Sequence, residues 1–85
     1  VAAGAIIIWG KRDWQGEEIR IEPRAYADVS CKSKSATFGF YGTGRCHARF
    51  DLVPEGEYYT TGGSIRGCYW TDISVVAGRV TQIEK

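Results

Sequence analysis

The segment Ile6–Ile21 constrains the fold of this chain more than any other. It places Trp9, four residues, Trp14, one residue and then Gly16 between two stretches of apolar residues. A hairpin that folds back over its own sheet needs an aromatic lid, and it also needs a residue that adopts positive φ without steric cost, as glycine does. The segment therefore predicts two short strands around a tight, folded-over hairpin.

Alternating apolar and polar residues dominate the rest of the chain, while no stretch repeats apolar residues with helical spacing over three turns. Turns are expected at 42–44, at 54–56 and at 62–63, where glycine or proline recurs. The pattern predicts an all-β sandwich of about eight short strands. The expected strands cover 5–9, 18–22, 30–35, 37–41, 47–52, 57–61, 73–76 and 79–83.

Length and charge exclude several classes of protein. The 85 residues are enough for one domain, and the formal net charge is +1, from 11 Lys and Arg against 10 Asp and Glu. Such a balance gives no basic surface for nucleic acid. No apolar run approaches the roughly 20 residues of a membrane-spanning helix. The sequence also lacks a phosphate-binding loop, a metal triad and a recognisable pair of catalytic carboxylates. We therefore expect a protein that is not an enzyme.

A weak internal repeat suggests two similar halves, because residues 28–31 (DVSC) recur as residues 72–75 (DISV). Together with the frame of Trp9, Trp14 and Gly16, this order of strands resembles a single two-motif domain of the βγ-crystallin superfamily, as in its microbial and spherulin-like members. The resemblance covers the whole chain, 1–85, with motif one at about 5–36 and motif two at about 37–84. It implies two Greek-key motifs packed as a sandwich.

The same resemblance implies a non-enzymatic structural or binding protein. The alternative is a secreted effector on the same fold, such as a killer-toxin-like, antimicrobial or proteinase-inhibitor protein. A secreted or extracellular location is expected in either case, with an unknown protein or glycan as the partner. The chain would be a monomer, or a dimer if one cysteine forms an interchain bond.

The calcium clamp of that family is degenerate in this chain. The clamp needs two consecutive Asn or Asp, two spacers and then Ser or Thr followed by Ser, and only the first hydroxyl survives in each window, at Ser30 and Ser74. Asp28 and Asp72 fall on spacer positions. Calcium takes six to eight oxygen ligands, including carboxylates. We therefore expect no cofactor, with calcium disfavoured and any residual site vestigial.

The crystallin topology would also place all three cysteines near one pole of the domain. Cys31 is equivalent to Val75 in the repeat, so it is expected to be a free thiol in an inward apolar position. A disulfide between Cys46 and Cys68 would then remain, with an interchain bond as the alternative.

Two further features concern binding and catalysis. His47 lies beside Cys46, but adjacent strand residues point to opposite faces and are badly placed to share a proton, so a surface histidine is expected. Adjacent aromatic residues on a strand likewise cannot both face inward. An exposed aromatic–arginine patch, or alternatively edge packing, is therefore expected for these side chains: Tyr59, Arg66, Tyr69 and Trp70.

Overall fold

The structure is a computed structural model that describes residues 2–24, 32–61 and 72–84. The prediction of an all-β protein is confirmed, since the described residues form strands, turns and one short 3-10 turn at Arg12–Trp14. The strands of the described part are β1 (Ala3–Trp9), β2 (Glu18–Pro23), β3 (Lys34–Thr37), β4 (His47–Pro54), β5 (Gly56–Thr61), β6 (Asp72–Val75) and β7 (Val80–Glu84).

These strands form two sheets. One sheet has three strands in the order β4-β1-β7, and the other has four strands in the order β3-β2-β5-β6. All the pairings are antiparallel except that of β1 with β7, which is parallel. Each sheet therefore combines strands from both predicted motifs, and the division into two Greek keys stays a prediction.

The prediction of a hairpin around Trp14 is wrong, because β1 and β2 do not pair with each other. β1 already pairs with β4 on one side and with β7 on the other, so neither of its edges is left for β2. The segment between Trp9 and Glu18 instead crosses from one sheet to the other. Gly16 does adopt the expected positive φ, at 86°, and Trp14 packs edge-on against Phe38 with 5.4 Å between ring centroids. The aromatic frame thus supports a crossing between sheets.

The expected strand over 37–41 is also wrong. β3 ends at Thr37, and beyond it only Gly39 forms a bridge, to His47. Tyr41 has a φ of 45°, which lies outside the extended range of a strand. The chain therefore turns where the alternating aromatic residues predicted a continuing strand.

The core lies between the two sheets and is apolar. Buried positions follow the period of two expected for a sandwich in β1, β2, β5 and β6. β4 departs from that period at its first two residues and at Leu52, whose φ is 54°. The core residues are Ile6, Ile8, Ile19, Ile21, Phe38, Cys46, Ala48, Phe50, Val53, Tyr58, Ile73 and Val75. Tyr58 is fully buried, and its hydroxyl donates to the carbonyl of Pro54 at 2.8 Å.

Candidate functional site

An open cleft of about 550 Å³ separates an edge of one sheet from an edge of the other. β3 is the outer strand of the four-stranded sheet, and β4 is the outer strand of the three-stranded sheet. Gly39 and His47 exchange two backbone hydrogen bonds, of 3.0 and 2.9 Å, which join the two sides at one end. We call this space the β3–β4 cleft. Its lining residues are Ser35, Ala36, Thr37, Tyr41, His47 and Arg49.

His47 is buried in the wall of this cleft, so its expected place on the surface is wrong. Only 7% of the residue is exposed, and its ring packs against two other rings. The ring centroid of Trp9 lies 5.0 Å from that of His47, and the ring centroid of Tyr41 lies 5.3 Å from it. A polar ring buried to this extent needs hydrogen-bond partners.

The hydrogen bonds of His47 define which ring nitrogen carries the proton. Nδ1 lies 3.1 Å from the carbonyl oxygen of Arg45 and 3.4 Å from the hydroxyl of Thr43. A carbonyl oxygen only accepts, so Nδ1 carries the hydrogen and donates it. In the neutral ring, Nε2 is then an acceptor, and within the described part of the chain it has no hydrogen-bond partner. The wall of the cleft therefore holds a buried imidazole whose second nitrogen is unbonded among the described residues.

Tyr41 forms a fixed aromatic surface at the cleft. Its side chain is held by its hydroxyl, which donates to the carbonyl of Thr37 at 2.6 Å. The residue is nonetheless 64% exposed. Its positive φ of 45° is a conformation that costs a non-glycine residue roughly 1–2 kcal/mol. Strain of this kind concentrates at functional sites.

The charges around the cleft are largely balanced. Arg49 Nε donates to the Asp51 carboxylate at 2.7 Å, and Lys34 Nζ donates to the Asp51 carbonyl at 3.2 Å. On the adjacent face, the Arg45 guanidinium lies over the Trp9 ring at 4.7 Å and pairs with Glu84 at 2.9 Å. These ion pairs are exposed and contribute little stability. They do cancel much of the positive charge next to the lining.

The predicted aromatic–arginine patch falls mostly outside the described residues. Arg66, Tyr69 and Trp70 are among the residues that the structure leaves undescribed, while Tyr59 is half-buried on β5, opposite Glu22. The patch therefore stays a prediction.

The described half of the predicted calcium clamp is occupied by other interactions. The Asp72 carboxylate pairs with Arg24 at 2.8 Å, and the Ser74 hydroxyl lies 2.8 and 2.9 Å from the two carboxylate oxygens of Glu57. Asp28 and Ser30 lie outside the described residues. Within the described ranges, no three His, Cys, Asp or Glu side chains gather to hold a metal ion.

Cys46 is a free thiol that is 2% exposed. No disulfide is seen at this position, which weighs against the expected bond to Cys68. Because Cys68 and Cys31 lie outside the described residues, the pairing itself stays a prediction. Burial, and then the nearby Asp13 carboxylate, raise the pKa of the Cys46 thiol above its usual value of 9.0. The thiol is therefore protonated and unreactive near neutral pH.

The β3–β4 cleft was not among the sites that the sequence predicted. Tyr41 was expected in a strand and His47 on the surface, so neither pointed to a shared site. The available signal was the turn at 42–44, which contains two glycines and brings Tyr41 back towards His47.

No family model, curated protein or solved structure matches this chain. Within the described ranges, no helix is long and apolar enough to cross a membrane.

Proposed function

We propose that this chain is a non-enzymatic β-sandwich binding protein that holds its partner in the β3–β4 cleft. The observation that carries the proposal is His47, a residue that is more than nine-tenths buried in the wall and whose Nε2 has no hydrogen-bond partner among the described residues. A buried acceptor without a partner costs roughly 1–3 kcal/mol, and a ligand that donates to it removes that cost. The fixed, exposed ring of Tyr41 adds apolar contact area beside it.

The lining of the cleft supports binding over catalysis. The Asp51 carboxylate beside the lining accepts from Arg49 at 2.7 Å, so it is poorly placed to act as a general base. The Cys46 thiol lies outside the lining, and its raised pKa keeps it protonated. What remains are hydroxyls, aromatic rings, an imidazole and a guanidinium, which are groups that orient a ligand.

A finer form of the proposal is a βγ-crystallin-type structural or binding protein with a degenerate calcium clamp. The ion pair of Asp72 with Arg24 and the hydrogen bonds of Ser74 to Glu57 support a clamp that has lost calcium. Calcium titration by calorimetry tests this form, and we expect no heat of binding at micromolar calcium. A micromolar binding isotherm would contradict it.

An NMR titration tests the binding function itself. The ¹⁵N-labelled protein is titrated with two sets of probes, namely unstructured peptides of random sequence and neutral di- and trisaccharides. We expect a probe from one set to shift the amide signals of Ser35, Thr37 and Arg49, because these residues line the cleft.

Two variants control this titration. Tyr41→Ala removes the exposed ring and should weaken binding about tenfold, whereas Val76→Ala trims an exposed apolar residue outside the cleft lining and should leave binding unchanged. The proposal is overturned if neither set of probes binds, or if binding is the same in Tyr41→Ala as in the wild type.

A further inference from the structure

We infer that the ligand of the β3–β4 cleft is a short neutral glycan, with one sugar ring against Tyr41 and one hydroxyl donating to His47 Nε2. This inference rests on the proposed binding function and names the class of ligand. Four features of the lining carry it: the tautomer of His47, the charge balance, the aromatic surface and the occupied strand edges.

The tautomer of the neutral His47 ring favours a ligand that donates a hydrogen bond. Nδ1 donates to the Arg45 carbonyl at 3.1 Å, so Nε2 of the neutral ring is left to accept. A carboxylate or a fully ionised phosphate has no hydrogen to give to this nitrogen. A hydroxyl has one, and its oxygen still accepts from a neighbouring group such as the Ser35 or Thr37 hydroxyl.

The charge balance favours a neutral ligand. Arg49 is the one cationic side chain among the described residues of the lining, and its Nε is bonded to the Asp51 carboxylate at 2.7 Å. An anionic ligand at this guanidinium would also face the negative charge of Asp51. A neutral hydroxyl needs only one of the remaining N–H groups, of which the guanidinium has several.

The aromatic surface fits the apolar face of a sugar ring. Tyr41 is 64% exposed, and its hydroxyl is already bonded to the Thr37 carbonyl at 2.6 Å, which fixes the direction of the ring. A ring that is held before the ligand arrives loses little conformational entropy on binding. The volume of about 550 Å³ lies within the range of small-ligand sites.

The occupied strand edges argue against an extended peptide as the ligand. A peptide that adds to a sheet edge depends on free main-chain donors and acceptors along that edge. On β3 the Thr37 carbonyl already accepts from Tyr41, and on β4 the Asp51 carbonyl already accepts from Lys34. The His47 backbone is bonded to Gly39. An added strand would therefore find three positions along the two edges already bonded.

The experiment measures the affinity of the whole chain for neutral di- and trisaccharides of glucose, galactose, mannose and N-acetylglucosamine. We expect at least one of them to shift the cleft amides, and Tyr41→Ala to weaken it about tenfold while Val76→Ala binds as the wild type does.

Because a buried residue such as His47 risks misfolding when it is replaced, the hydrogen bond to Nε2 is tested on the ligand. Each hydroxyl of the sugar that binds is replaced in turn by fluorine, which cannot donate. One analogue should bind about tenfold more weakly to the wild-type protein. Equal affinity for every analogue would overturn the assigned hydrogen bond.

The remaining outcomes separate the two proposals. A peptide that binds in the cleft when no sugar does would overturn the glycan inference and leave the binding function standing. If no probe of either class binds in the cleft, both are overturned.

Discussion

Cys46 is a titratable residue whose surroundings change its pKa. Its side chain is 2% exposed within the core, and its pKa is raised by burial and then by the Asp13 carboxylate. Because the thiol is neutral when protonated, the folded chain favours the protonated form more strongly than the unfolded chain does. The position of this one residue therefore links stability to pH.

The sign of the link follows from the raised pKa. The contribution of Cys46 to stability is fully present below the pKa of the unfolded chain, near 9.0, and is lost as the pH rises through the higher pKa of the folded chain. We predict that the free energy of unfolding falls as the pH rises above about 9, the usual pKa of a thiol, and that Cys46→Ala reduces this fall.

Urea denaturation of the wild type and Cys46→Ala, under reducing conditions, measures the difference. The other ionisable groups are common to both proteins, so the comparison isolates this thiol. Parallel pH profiles in the two proteins would contradict the prediction.

Little in the sequence indicates which individual residues form the β3–β4 cleft. The equivalence of Cys31 and Val75 in the repeat predicted an inward apolar position, and Val75 is buried. The burial of His47 was not predicted, because it depends on the rings of Trp9 and Tyr41. Trp9 is distant from His47 in the sequence, whereas Tyr41 is close to it. Periodicity along one strand carries no information about the rings that a neighbouring strand supplies.

Among the elements, the crossing segment between β1 and β2 depends on close packing at Gly10. A Cβ atom at this position would lie 2.6 Å from Phe38 Cε1 and 2.6 Å from Trp14 Cε3, two rings that pack edge-on. The crossing therefore leaves no room for a side chain at Gly10. The constraint at this position is steric, since no positive φ is recorded for Gly10.

We predict that Gly10→Ala destabilises the domain by about 1–3 kcal/mol, because the added methyl overpacks the two rings. Gly44→Ala is the matched control, since nothing lies within 4 Å of a Cβ atom there and its φ is not positive. Chemical denaturation followed by tryptophan fluorescence measures both. Equal losses from the two substitutions would show that the packing against Trp14 and Phe38 is not the cause.

Alternation predicted where strands lie better than it predicted how they pair. The expected strands at 5–9 and 47–52 correspond to β1 and β4, with ends that differ by two residues at most. The parallel pairing of β1 with β7, and the placement of β2 in the other sheet, were not predicted. A period of two defines which face is buried, but it does not define the neighbouring strand.

At the scale of the whole molecule, stability depends on one core shared by both sheets. A chain of 85 residues has a stability of roughly 4–13 kcal/mol, so a single large cavity removes much of it. β1 is central to its sheet and presents Ile8 to the core, whereas Ile7 lies on the opposite face and is half-buried. The two isoleucines thus compare core and outer face on one strand.

We predict that Ile8→Ala lowers the free energy of unfolding by about 2–5 kcal/mol, and that Ile7→Ala lowers it by clearly less, because less of the side chain is buried. Urea denaturation followed by tryptophan fluorescence and by far-ultraviolet circular dichroism measures both losses. The two probes should give one transition, since the sheets share their core.

If Ile8→Ala fails to fold, Ile8→Val should still show a loss of about 0.5–1.5 kcal/mol. Separate transitions, or a larger loss from Ile7→Ala than from Ile8→Ala, would contradict a single core between the sheets.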